Sequence, residues 1–430
     1  MNPVVLSLAF AAAILVSLLI KFWLATRQMR HVAAHRGAVP PAFAGTVPLE
    51  AHQKAADYTL AKLRFGIVSE AFGNAVLVGW TLLGGLAWLN GALLDLVEPR
   101  WGAMAYQLLL IGLFVLIGAV LELPFDVYGV FRLEQKFGFN NTTPRLFVMD
   151  RLKSTGLAIA IGGPFLALVL WIMAATGALW WVWAWGAFAL FQLLAMVLGP
   201  TVIAPLFNKF EPLADEALAV RTQSLMARCG FRAKGFFVKD GSRRSAHSNA
   251  YFTGFGKSKR VVFYDTLLKR VNGDEVEAVL AHELGHFARR HIAKRVTMVL
   301  AFAFAAFALL GWLATRTGFY VGLGVPPNMT ASNDALALLL FMLALPPFLF
   351  FVTPVFASLS RRDEYEADAY AGSKASAADL VRALLKLYED NASPLTSDPL
   401  YVRFYYSHPP ITARAEALGL SVAEFAGAAA

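Results

Sequence analysis

Seven apolar runs decide what this chain can fold into. They lie near residues 4–20, 71–95, 103–121, 155–176, 179–203, 297–315 and 335–358. Each is long enough to cross the roughly 30 Å hydrocarbon layer of a bilayer as a helix. Composition agrees: 16% of residues are charged, against about 25% in a typical soluble domain, and the mean hydropathy is +0.56. The first run has no positive charge before it and no small-residue cleavage pattern after it. It therefore reads as a retained helix, not a removed signal peptide. The fourth and fifth runs are joined by the uncharged turn Ala174-Ala175-Thr176-Gly177-Ala178, which predicts a tight hairpin.

Charge then orients the bundle. With the amino terminus outside, segments 21–67, 121–153, 206–296 and 359–430 lie inside. They hold every one of the 38 Lys and Arg residues except Arg100 and Arg316, the bias of the positive-inside rule. The formal charge of +9 thus reports topology, and the expected partner is the lipid bilayer, with no nucleic acid. One cysteine, Cys229, excludes an internal disulfide framework. Four parts follow: 1–205 with helices one to five, 206–296 as a folded inside segment, 297–358 with helices six and seven, and 359–430 as a helical inside tail.

The inside segment 206–296 is a small α+β unit. An amphipathic helix over 214–228 stops at Gly230. Strand-like runs occupy 235–239 and 260–264, and between them Ser248 to Gly256 reads as an edge strand closing in a glycine turn. Asp274 is the expected N-cap of the next helix, with Glu277 completing a capping box. That helix carries His282-Glu283-Leu284-Gly285-His286. Residues four apart share a helical face, so both imidazoles reach one metal ion. Glu283 can then touch a water beside the metal without being a ligand, which is the zinc-peptidase arrangement.

A catalytic zinc site needs a third protein ligand and an open position for water. On the inside face, His31 and His35 read as a solvated basic stretch, and His291, five residues past His286, points elsewhere on the helix. Glu364 and Asp368 are again four apart on one helical face. One carboxylate could bind the metal while the other accepts a hydrogen bond from a ligating imidazole.

With these residues in hand, the chain resembles the type I CAAX protease family, the integral-membrane zinc endopeptidases that process CAAX prenyl proteins. The resemblance covers nearly the whole chain. Beyond the zinc motif it rests on Glu134-Gln135-Lys136-Phe137-Gly138-Phe139-Asn140, Pro205 to Phe210, His247 to Phe252 and Ser407-His408-Pro409-Pro410. It implies a mainly α fold in which seven helices enclose a chamber, with an inside-facing, gluzincin-like zinc domain. It implies one Zn2+ per chain, held by His282, His286 and Glu364, with Asp368 behind them. Asn249, Ala250 and Tyr251 match the edge strand that lays substrate backbone across the site. His408 and Arg414 match groups near the scissile carbonyl, with His408 placed to stabilise the oxyanion.

The expected reaction is peptide hydrolysis, with Glu283 taking the water's proton and passing it to the leaving amine. The expected partner is a peptide or protein substrate, prenylated at its C-terminus if the resemblance extends to substrate choice. High alanine content suggests a bacterial cytoplasmic membrane. Three other readings stay open. One is a quality-control protease of misfolded membrane proteins resembling HtpX; another is an enzyme cutting within the bilayer. The last is a non-proteolytic seven-helix protein with structural zinc, which would not need Glu283.

Overall fold

The computed structural model describes residues 1–253 and 258–420 of the chain; the expected glycine turn at 254–256 and residues 421–430 lie outside them. Six helices are long and apolar enough to span a bilayer, and a bent pair supplies a seventh span. Helix α1 (Pro3–His35) starts with the Asn2 side chain accepting from the Val4 and Val5 amides. At 1.5 Å per residue its 33 residues run about 50 Å, so its basic last turns clear the lipid. The second apolar run is broken: α2 (Leu49–Trp80) and α3 (Gly85–Leu96) meet at 47°, around Gly84 at φ 79°. Next come α4 (Glu98–Phe137), α5 (Pro144–Ala175) and α6 (Gly177–Phe207). The predicted α5–α6 hairpin forms, turning at Gly177 with φ 65°, a left-handed value that glycine adopts without strain.

The next unit is a four-stranded sheet with helices against it. Strands β1 (Phe210–Pro212), β2 (Arg232–Lys239), β3 (Ala250–Thr253) and β4 (Ser258–Tyr264) pair in the order β1-β2-β4-β3. The β2–β4 pair is parallel, whereas β1 and β3 run antiparallel at the two edges. Helix α7 (Glu216–Arg228) lies between β1 and β2 in the chain, and α8 (Gly273–Ala288) follows the sheet. The capping box of α8 sits two residues earlier than the sequence suggested. Asn272 accepts from the Glu275 amide at 2.9 Å, and Glu275 accepts from the Asn272 amide at 2.8 Å. Asparagine is as good an N-cap as aspartate, and the Asn-x-x-Glu spacing wins because Asp274 and Glu277 are drawn instead to Arg221, with Arg228 also on Glu277.

Helix α9 (His291–Leu313) is the sixth span. The seventh, α10 (Asp334–Leu349), continues through a short 3-10 turn into α11 (Thr353–Lys374) as one 41-residue rod. Glu364 and Asp368 therefore ride on the extension of a membrane helix. Helices α12 (Ala377–Asp390), α13 (Pro399–Tyr405) and α14 (Ile411–Ala417) close the chain.

Packing explains how this becomes a chamber. One core gathers at the end opposite the sheet, with Phe10, Leu86, Tyr106, Leu170, Leu310 and Leu336 buried together. A second lies under the sheet, with Leu225, Val261, Phe263, Leu280, Leu284 and Leu380. Between them, residues 112–132 of α4, 185–207 of α6 and 292–309 of α9 include no buried residue, although α6 and α9 touch along one side through Trp185 with Phe304 and Phe188 with Phe307. Long rods packed at both ends, with middle stretches left unburied, are walls around a hollow interior.

Candidate active site

Helices α8 and α11 cross at Gly285. A Cβ there would lie 3.0 Å from Ala367 Cα and 3.1 Å from its carbonyl oxygen, so only glycine permits so close an approach. The crossing brings together the three residues that the sequence offered for a metal. His282 Nε2 and His286 Nε2 are 3.3 Å apart; His282 Nε2 lies 3.5 Å from Glu364 Oε2 and His286 Nε2 3.5 Å from Glu364 Oε1. All three donors point at one spot. Glu364 is 4% exposed, and its Oε2 is buried without a hydrogen-bond partner. A buried carboxylate oxygen left unsatisfied is costly, and a cation between the three donors would satisfy it. The donor set fits a metal ion.

Behind the donors, Asp368 Oδ1 accepts from His282 Nδ1 at 2.8 Å. The buried Arg414 grips Asp368 from the far side, Nε to Oδ2 at 2.7 Å and Nη2 to Oδ1 at 2.6 Å. Fixing Nδ1 as the protonated nitrogen leaves the Nε2 lone pair of His282 free for a metal. Burial works against charging His282, yet Asp368 and Glu364 outweigh it and push the imidazole up to about 9. His286, by contrast, is pulled down to about 4 by burial and by the charge of its neighbour His282. The carboxylates thus impose a demand for positive charge at this spot.

Glu283 is half-buried and makes no hydrogen bond within the described residues, so its carboxylate is free for a small molecule. Burial holds that carboxyl above its usual range. His408 projects from the turn before α14 with Nε2 3.4 Å from Glu364 Oε1 and its side chain 63% exposed. Asn249 and Ala250 line the same cavity of about 480 Å³ as His282, Glu283 and His408. Tyr251 pairs with Val262, sets its ring near Tyr264, edge to face, and does not line that cavity. The outer edge of β3 carries no partner strand among the described residues. Arg414, which the resemblance put near the scissile carbonyl, lines this cavity too, although two of its three guanidinium nitrogens are committed to Asp368.

One residue that the sequence set aside belongs here. His291 does not point away: its Nδ1 is 3.1 Å from His286 Nδ1. The reason is Arg290, at φ 58° in the left-handed region, which ends α8 and folds the chain back. No spacing rule exposes such a break. His31 and His35 lie against each other with tilted rings, 4.3 Å between centroids, on α1, and His247 stacks on Phe139.

Fold and site together define a multi-pass membrane metallopeptidase, a hydrolase of peptide bonds. Residues 28–209 match the family described as CAAX prenyl protease N-terminal, five membrane helices, and residues 212–420 match peptidase family M48. Among curated proteins, CAAX prenyl protease 1 of Saccharomyces cerevisiae is 37% identical over 401 residues, 88% of each chain. The CAAX prenyl protease 1 homolog of Arabidopsis thaliana is 34% identical over 389 residues, 88% of this chain and 90% of its own. The crystal structure of S. mikatae Ste24p superposes with a TM-score of 0.89 at 34% identity, covering 96% of this chain and 98% of that one. The chain belongs to the type I CAAX prenyl protease family of M48 peptidases. These matches do not favour the quality-control reading.

Proposed function

We propose that this protein is a zinc-dependent endopeptidase that cleaves proteins prenylated near the C-terminus, with Glu283 as general base. The observation carrying the proposal is the cluster of His282, His286 and Glu364: the two Nε2 atoms are 3.3 Å apart, each lies 3.5 Å from a different oxygen of the Glu364 carboxylate, and one ligand atom from each residue lies within 4.8 Å of the others. Tetrahedral zinc with bonds of about 2.0–2.1 Å needs donors roughly 3.3–3.4 Å apart. Two imidazoles and one carboxylate are also its usual peptidase donor set. When bound, zinc supplies Lewis acidity toward the substrate carbonyl and an acidified water.

The chain's own groups do the rest. Glu283, with a carboxyl raised by burial, takes a proton from water and returns it to the leaving amine; a base nearer neutrality transfers in both directions. His408 offers an N–H to the carbonyl oxygen as it gains charge. The free edge of β3 receives extended substrate backbone as an added strand, along Asn249, Ala250 and Tyr251. Arg414 acts through Asp368, holding the acid that orients His282. The relatives' names, CAAX prenyl proteases, support a prenylated substrate. The distribution of Lys and Arg supports the amino terminus outside and the site on the cytoplasmic side, and the high alanine content supports a bacterial cytoplasmic membrane.

The test is cleavage by the purified, zinc-loaded protein of a farnesylated CAAX peptide, its unprenylated twin and an unfolded membrane substrate. Preference for the farnesylated peptide is expected. Glu283→Gln should retain one zinc per chain and lose at least 100-fold in rate, the range for removing a general base. Near wild-type cleavage by that variant would reject Glu283 as the base, and cleavage of only the unfolded substrate would reject the substrate class.

A further inference from the structure

We infer that His291, backed by Glu366, is the positioning residue for His286, a second support that mirrors Asp368–Arg414 behind His282. The inference rests on the metal-site reading above. His286 turns Nε2 toward the donor triangle, 3.3 Å from His282 Nε2 and 3.5 Å from Glu364 Oε1. That nitrogen must keep its lone pair to bind a metal, so the ring's proton sits on Nδ1. The atom facing Nδ1 at 3.1 Å is His291 Nδ1, which accepts the bond only if the proton of His291 sits on Nε2. There Glu366 Oε2 waits at 3.1 Å, with Asp363 Oδ1 at 3.6 Å. Every donor meets an acceptor under one assignment of tautomers.

The chain is bent to make this relay. On an unbroken helix the residue five places on lies about 140° around the axis, out of reach of His286. The left-handed Arg290 breaks α8, and α9 restarts at His291. His291 is 2% exposed, although its position, at the foot of a membrane helix beside the exposed Arg289, Arg290, Lys294 and Arg295, would suit any polar residue. Burying an imidazole there has a use only if both ring nitrogens are engaged, as they are. Glu366 lies two residues past Glu364 on α11, so the rod that brings a carboxylate to the metal also anchors the opposite ligand from behind. Arg362 in turn holds Glu366 at 3.3 Å.

Outer partners of ligating histidines are worth roughly 10- to 100-fold in metal affinity. The experiment measures zinc affinity of the full-length protein in detergent by competition with a chromogenic chelator, for wild type, His291→Ala, His291→Asn and His286→Ala. An asparagine carbonyl can sit where Nδ1 does and accept from His286. His291→Ala should bind zinc roughly 10- to 100-fold more weakly, and His291→Asn should recover most of the loss. Wild-type affinity in His291→Ala, or equal weakening in both variants, would overturn the inference by leaving His291 a packing residue or nothing. Should wild type hold no zinc, or His286→Ala hold it as tightly as wild type, the metal-site reading itself fails, and the two failures are distinct.

Discussion

Replacing Gly285 with alanine tests the link between helix packing and the metal centre. The new methyl would meet Ala367 Cα at 3.0 Å, Ala367 O at 3.1 Å and Tyr370 Cβ at 3.2 Å. Comfortable carbon contacts are about 3.5–4.0 Å, so α8 and α11 must part by about half an ångström. Two of the three obstacles are backbone and cannot swing aside. Overpacking of this kind typically costs about 1–3 kcal/mol, while alanine's better helix propensity returns about 0.5–1 kcal/mol. Parting also carries Glu364 away from His282 and His286, and metal sites tolerate only about 0.2 Å of ligand displacement. If the helices relax apart, metal binding must close them again. The strain then reappears as about 5- to 150-fold weaker zinc binding, at 1.4 kcal/mol per tenfold. The measurement pairs thermal unfolding with chelator competition on Gly285→Ala, using Gly73→Ala as control. Gly73 is an exposed helical glycine with nothing within 4 Å of its would-be Cβ, so its variant should be neutral or slightly more stable. Equal zinc affinity in Gly285→Ala and wild type would refute the reasoning.

Three further outcomes follow from the same contacts. Arg414→Met should destabilise by about 3–5 kcal/mol, because it strands a buried Asp368 carboxylate; adding Asp368→Asn should recover much of that, and strict additivity in unfolding measurements would contradict the pairing. Asp398 is buried, which alone would raise its carboxyl, but Arg27 and the Tyr401 and Leu400 amides hold it below the usual range. A depressed carboxylate stabilises the fold above its unfolded value of about 3.9 and loses that contribution as pH falls through its folded value. The difference in unfolding temperature between wild type and Asp398→Asn should therefore stay constant from pH 7 to about 5 and shrink below about 4. Stripping the metal with chelator should lower the unfolding temperature, and excess free zinc should raise it in proportion to the logarithm of its concentration; an unfolding temperature indifferent to zinc would count against the site.

Much of the site was legible because its elements are local. His282, Glu283 and His286 follow from a helical period that five consecutive residues display, and Glu364 with Asp368 repeats the same spacing. The apolar runs were equally plain, since hydrocarbon thickness sets their length. The capping box was misplaced by two residues because Asn272-Glu275 and Asp274-Glu277 satisfy the same local rule, and only the distant Arg221 and Arg228 break the tie. The bend between α2 and α3 was hidden because an apolar run has no signal for direction.

By itself, then, the sequence determined a seven-span membrane protein with a metallopeptidase helix and a paired acidic helix downstream. Tertiary structure alone decided how close those helices come, through the bare face of Gly285, and which nitrogens and oxygens meet. It also decided that His291 turns back to His286. The angle at Arg290 depends on where α9 enters the bundle, and that direction is fixed by packing at the far ends of helices hundreds of residues apart. Local periodicity reports which residues share a face; only the assembled bundle settles what that face touches.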